Sequence, residues 1–229
     1  EIIDQAEKNE IVLALGHIER FNPAVRELKK IIAERKLGDV ISILARRVGI
    51  FPPQIKDANV FLDLAVHDLD IFNYLLEESP STIFTMAGEA LTRGREDHSI
   101  ILLNYGRTNC MVQVNWITPV KIRNLSVTGT KGYAELDYIS QDLSVYESVY
   151  ERTYDSFGDF VVKFGTPKKV KIDVQTEEPL KAELRHFIRC VEKKEKPLVG
   201  GGEGLHALKL SLDALRSYRE RKVIEVANV

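Results

Sequence analysis

Cysteine is nearly absent: Cys110 and Cys190 are the only two among 229 residues. They lie in apolar-periodic segments without metal-ligand spacing, which argues against a disulfide framework and for a reducing, cytoplasmic setting. No apolar run approaches the roughly 18–20 residues that span a bilayer, and no signal peptide is visible. An excess of either charge is also missing, since 32 basic and 34 acidic residues leave a net charge of −2. Neither nucleic acid nor a membrane surface is called for as a partner. Apolar residues make up 44% and charged residues 29%, a balance that builds a globular core of one or two domains. An initiator methionine is lacking too. The chain opens inside a helical pattern, "EIIDQAEKNE", with no cap before it, and the expected reading is a piece of a longer protein.

After that helix, "IVLALG" (11–16) is a short, continuously apolar run, the pattern of a buried parallel strand. "FNPAVRELKKIIAERKLG" follows as a helix, with Asn22 as its cap, Pro23 in the first position and Gly38 just past the end. From residue 40 to about 175 the hydrophobic period falls to two. "VISILARRVGI", "STIFTMAGEAL", "SIILLNYG", "NCMVQVNWI" and "KKVKIDV" read as strands, and "NLSVTGTKGYAELDY" as a hairpin turning on "GTKG". In the fourth of these, Cys110, Val112, Val114 and Trp116 point one way and Met111, Gln113, Asn115 and Ile117 the other. Helical spacing returns at 180–191 and from Leu205 to about Arg221. "GGGEG" (200–204) reads as a flexible turn before the last helix. The fold class is α+β: an open, mainly antiparallel sheet with helices on one face, preceded by the helix and strand that close an α/β unit.

The helix "FLDLAVHDLDIFNYL" (61–75) carries four ionisable groups within two turns. At helical spacing Asp63, His67 and Asp70 share one face, while Leu62, Val66, Leu69 and Leu76 are expected to pack on the sheet. A carboxylate one turn from an imidazole can orient the ring and raise its basicity, as a general base requires. A solvated i,i+4 pair explains the same spacing. So does a metal site, with the His67-Asp68 doublet as the core of a metal-dependent hydrolase.

"GHIERFNP" (16–23), "DLAVHDLDIFNYL" (63–75), "VTGTKGYAELD" (127–137) and "EKPLVGGGEGLHALKLSLDAL" (195–215) together resemble the Gfo/Idh/MocA oxidoreductase family, in the family's order and over the whole chain. "GHIERFNPAVRELKKII" is similar to its sugar-nucleotide dehydrogenases of the UDP-N-acetylglucosamine 3-dehydrogenase kind. The resemblance implies an NAD- or NADP-dependent enzyme moving a hydride from a hydroxyl-bearing carbon of a sugar or sugar nucleotide to the nicotinamide. It implies His67 as the group that takes the hydroxyl proton and Asp63 as the residue that orients substrate and imidazole. No metal is implied.

On this reading residues 1–22 are the end of a dinucleotide-binding Rossmann domain, and residues 23–229 form the domain for substrate binding and oligomerisation. The family's Glu-Lys-Pro lysine and its glycine-rich fingerprint precede residue 1 in the family's order. The "EKP" at 195–197 falls in the wrong place and marks a helix end. Gly16, His17 and Arg20, at the carboxyl end of the expected 11–16 strand, are the cofactor-binding candidates. Asn22 and Arg47 are the substrate-binding candidates, since an inward arginine suits a diphosphate, although a salt bridge on the sheet face accounts for Arg47 equally well. The open sheet face is expected to pair copies into a homodimer or homotetramer. A chain acting only as such an interaction module is the alternative of a different class.

Overall fold

The computed structural model describes residues 1–51, 53–147, 150–154, 157 and 160–227. It opens with a short helix, α1 (Ile2–Lys8), none of whose residues is buried. The segment 11–17 that follows is not a strand. Its apolar residues are half-buried or, at Ile11, exposed, and its one backbone tie to a distant segment runs from the Leu15 amide to the Val199 carbonyl at 3.0 Å. An apolar run becomes a strand only where a neighbouring strand satisfies its amides and carbonyls. The described residues bring none alongside it.

A single 3-10 turn (Ile18–Phe21) leads into α2 (Pro23–Ala33). The Asn22 side chain accepts the Ala24 amide at 3.1 Å, and Pro23 takes the first position, where its missing N–H costs nothing. Helix α2 ends before Gly38, at Glu34, with Arg35 in the left-handed conformation. Gly38 belongs instead to the crossing beneath the later hairpin. Its φ is +74°, and a Cβ there would stand 2.2 Å from the Thr130 hydroxyl.

Strand β1 (Val40–Val48) alternates faces as its sequence predicts, so Arg47 is buried and Arg46 is exposed. One wide π-helical turn (Phe61–Ala65), anchored by the Asn59 carboxamide oxygen on the amides of Phe61 and Leu62, opens α3 (Val66–Leu76). Strands β2 (Thr82–Gly88), β3 (His98–Tyr105), β4 (Thr108–Asn115), β5 (Ile122–Gly129), β6 (Gly132–Asp137) and β7 (Leu143–Glu147) come next. Then β8 (Tyr150–Tyr154) and β9 (Phe160–Phe164) form a separate ribbon. The chain closes with β10 (Lys168–Ile172), α4 (Pro179–Lys193), α5 (Gly201–Glu220) and β11 (Ile224–Glu225).

Among the described residues nine strands make one sheet in the order β10-β7-β6-β5-β1-β4-β3-β2-β11. Only β1 and β4 run parallel; the other pairs are antiparallel. The β5–β6 hairpin turns where "GTKG" predicts. One face of the sheet meets α2, α3 and α5 in a continuous core that includes Leu28, Ile43, Leu69, Phe72, Val112 and Leu210. The other face is open and carries Ile41, Leu44, Met86, Ile100 and Leu102 at 39–66% exposure.

Two expectations need correcting. The core face of α3 is formed by Leu64, Ala65, Asp68, Leu69, Ile71, Phe72 and Leu75, not by Leu62, which is 37% exposed. The face is rotated because two of the acidic residues point inward and are neutralised there. The "GGGEG" run is not a loose turn, since α5 begins at Gly201. A Cβ on Gly201 would stand 2.5 Å from Ile3 and one on Gly204 2.5 Å from Leu15. These glycines are what let α1 and the 11–17 segment lie against the helix. No helix among the described residues is long and apolar enough to cross a membrane.

Candidate active site

Where β1, β5, α3 and the 3-10 turn converge there is a cleft of about 690 Å³, walled by Glu19, Arg47, Asp63, His67, Trp116, Lys121, Arg123 and Tyr138 among others. Two buried ion pairs lie at and behind its wall, and of their members Arg47 and Glu19 line it. Arg47 is 3% exposed and donates from Nε and Nη2 to the two oxygens of Asp68 at 2.7 and 3.1 Å. Its Nη1 reaches Glu19 at 3.0 Å, and its guanidinium lies 5.0 Å from the centre of the Tyr138 ring. Burial works against the Arg47 charge, but Asp68 and Glu19 outweigh it and raise its pKa. Beside this pair, Arg20 grips Asp70 through both fork nitrogens at 2.8 and 2.7 Å, with Asp70 1% exposed. Bidentate pairing of this kind is strong and directional.

These pairs redistribute the roles expected from the sequence. The Arg20 fork is held by Asp70 and that of Arg47 by Asp68 and Glu19. Asn22 is fully buried, outside the cleft, with its amide nitrogen donating to the Tyr138 carbonyl at 3.1 Å and to Glu19 at 3.3 Å. Caps and core ion pairs recruit the same polar residue types as ligand sites do. Gly16 is exposed with open space around it. His17 is 9% exposed, and its Nδ1 has no hydrogen-bond partner, lying 4.0 Å from Asp70. Burial lowers the His17 pKa, with Asp70 opposing the shift and Arg20 adding to it.

His67 stands at the cleft wall, its ring 6.1 Å from that of His17 and nearly perpendicular to it. Burial, followed by the positive charges of Arg47, His17 and Arg123, holds its pKa down at about 3. The imidazole is therefore neutral at neutral pH. Asp63 lines the same cleft, but its carboxylate accepts the Trp116 indole N–H at 3.0 Å. It forms no ion pair with His67 within 4.0 Å, and it is not among the charges that set the imidazole pKa. The expected Asp63-to-imidazole contact is thus replaced by an Asp63-to-indole contact, made possible because β4 delivers Trp116 beside α3.

The His67-Asp68 doublet is divided. His67 edges the cleft while Asp68 is held in the core by Arg47, so the two do not present a joint pair of ligands. Among the described residues no three His, Cys, Asp or Glu side chains gather as a metal ion would require. A dinucleotide pyrophosphate finds no cradle here either. The glycine-rich start of α5 has its Gly200 amide donating to Glu203 at 2.8 Å, and Ile3 and Leu13 crowd Gly201. Lys121, Arg123 and Trp116 are the cleft residues the motif reading missed. The signal was present, because in "KIRNLSV" Lys121 and Arg123 share the inward parity of Leu125 and Val127.

The family model described as "Oxidoreductase family, C-terminal alpha/beta domain" (GFO_IDH_MocA_C) matches residues 29–226. The chain belongs to the Gfo/Idh/MocA oxidoreductase family. Its relatives include the UDP-N-acetylglucosamine 3-dehydrogenase of Acidithiobacillus ferrooxidans, 23% identical over 92% of this chain and 64% of that protein. The myo-inositol 2-dehydrogenase of Thermotoga maritima is 24% identical over 100% of this chain and 68% of that one. The solved structure of the Acidithiobacillus enzyme superposes with a TM-score of 0.79 at 20% identity, covering 95% of this chain and 65% of that chain. An oxidoreductase from Agrobacterium radiobacter, solved with NAD+, L-tartaric acid and magnesium, superposes with a TM-score of 0.74 at 16% identity, covering 97% of this chain and 67% of that one. The chain thus spans about two thirds of the length of the relatives it matches. Likeness at this identity establishes the fold and the Gfo/Idh/MocA architecture, and the chemistry has to be argued from the cleft.

Proposed function

We propose that the cleft binds a sugar or sugar nucleotide and that the complete protein oxidises one of its carbinol carbons with NAD or NADP. The observation that carries this reading is the position of His67 on the wall of the cleft that Asp63 also lines, in an oxidoreductase-family fold. When bound, the nicotinamide dinucleotide would supply the acceptor for the hydride. The residues of this chain do the rest. As the carbinol C–H bond breaks with its electron pair, His67 takes the O–H proton and becomes an imidazolium while the carbon becomes a carbonyl. Asp63, held by the Trp116 indole, presents its other oxygen to the substrate and orients a hydroxyl rather than the imidazole. The ion pairs Arg47–Asp68 and Arg20–Asp70 keep α3 in register with β1 and the 3-10 turn, and so set where His67 points.

In the same reading residues 1–22 close a dinucleotide-binding unit, and residues 23–229 form the substrate and assembly unit. Gly16 and His17 lie toward the cofactor. The open sheet face, with Ile41, Leu44, Met86, Ile100 and Leu102 exposed, pairs two copies of the chain. The dehydrogenase reading is tested with the complete natural protein and a polyol deuterated at the carbinol carbon. Deuterium should move to the reduced dinucleotide, as seen by mass spectrometry. Product formation with the label retained in the polyol, or lost to water, contradicts hydride transfer.

A further inference from the structure

Arg47 and Arg123 sit directly opposite each other on the antiparallel pair β1–β5. Like charges facing across strands destabilise a sheet unless something neutralises them. Arg47 has Asp68 and Glu19. Arg123 is half-buried in the cleft wall and has no ion pair within 4.0 Å and no side-chain hydrogen bond. Lys121, two residues earlier on the same side of the strand, lines the cleft mouth and is likewise unpaired. The acids in and behind this wall are already engaged: Asp68 and Glu19 with Arg47, and Asp63 with the Trp116 indole. Asp68, Glu19 and Asp63 favour the Arg123 charge from a distance, but burial and Arg47 outweigh them, and the fold gives this half-buried cation no direct partner.

We propose that Arg123, assisted by Lys121, binds an anionic group of the substrate, a carboxylate or a phosphate, and so selects acidic sugars or sugar phosphates over neutral polyols. The inference rests on the dehydrogenase reading for its site and adds the substrate's charge. An arginine presents two parallel N–H donors that match either oxyanion, and partial burial strengthens the pairing. The arrangement has a second consequence. The positive charge of Arg123 also bears on His67, so a bound anion removes part of the field that opposes proton uptake there.

The test measures equilibrium binding to the complete natural protein by calorimetry, with D-glucuronate, UDP-glucose, sodium sulfate and neutral D-glucose as probes. At least one organic anion should bind tenfold or more tighter than glucose, with glucuronate reporting a carboxylate site and UDP-glucose a diphosphate site. Arg123→Gln should cut that advantage to within threefold of glucose. Arg123→Lys should restore part of it, and Lys121→Gln should weaken it less. Arg123→Gln should also melt at a higher temperature without ligand, because the facing charges are gone, and should lose any stabilisation by sulfate. An advantage that survives undiminished in Arg123→Gln overturns the proposal, as does the absence of any preference for anions. Anion binding without hydride transfer would keep this inference and remove the dehydrogenase reading. Hydride transfer from neutral polyols with no charge preference would do the reverse.

Discussion

The two faces of the sheet treat the same residue type in opposite ways. Arg46 and Arg47 are neighbours on β1, yet Arg46 points to the open face while Arg47 is sealed beneath α3 with Asp68 and Glu19. On the covered face Arg47 and Arg20 are each paired with buried carboxylates, and the polarity there fixes the position of a helix. On the open face charged and apolar side chains mix, and their contribution to folding is small. Ionisable residues near this cleft divide into those tied into buried ion pairs, Arg20, Arg47, Asp68 and Asp70, and those that line it without one, among them His67, Lys121 and Arg123.

The largest effect should come from Arg47→Ala. Removing one partner of a buried pair leaves Asp68 charged and dry, which costs about 3–5 kcal/mol. The matching change on the open face, Arg46→Ala, should stay within about 0.5 kcal/mol. Urea unfolding of the two variants measures the difference directly, and equal losses would erase the distinction between the faces.

Acid should reveal the covered face next. The pKa values of His17 and His67 are lower in the folded protein than the ordinary 6.5, with that of His67 at about 3. Below pH 6.5 the unfolded chain takes up protons at these sites that the folded chain refuses. Stability is therefore full above that pH and falls as pH drops toward 3, by at most about 1.4 kcal/mol per pH unit for each such histidine. His67→Asn should flatten this slope between pH 6 and 4. An unchanged slope would mean that His67 titrates normally.

The smallest effect on folding belongs to the open face, where Leu102→Lys should leave the urea midpoint almost unchanged. Yet the same change should shift sedimentation toward a monomer if this face joins two copies, because a charge in an interface core is poorly tolerated. A monomeric parent protein would remove that proposal.

Much of this arrangement was legible in the sequence. The period-two runs became strands in the expected parity, and Pro23 and Asn22 marked a helix start that is there. What the spacing did not show depended on partners far along the chain. Arg20 and Asp70 lie 50 positions apart, and Asn22 lies 116 from the carbonyl it serves. A spacing rule cannot show that such residues are already engaged. The 11–16 run failed for a related reason, since strand formation needs a neighbour as well as a pattern.

The central claim is that His67 accepts the proton of the reacting hydroxyl. Turnover by His67→Ala in the complete natural protein tests it most directly, with folding verified by its unfolding midpoint. Turnover should fall about 10²–10⁴-fold, the usual contribution of a positioned general base, with dinucleotide affinity little changed. A folded His67→Ala protein that keeps turnover within about twofold, as loss of an exposed helix pair would, would contradict the account.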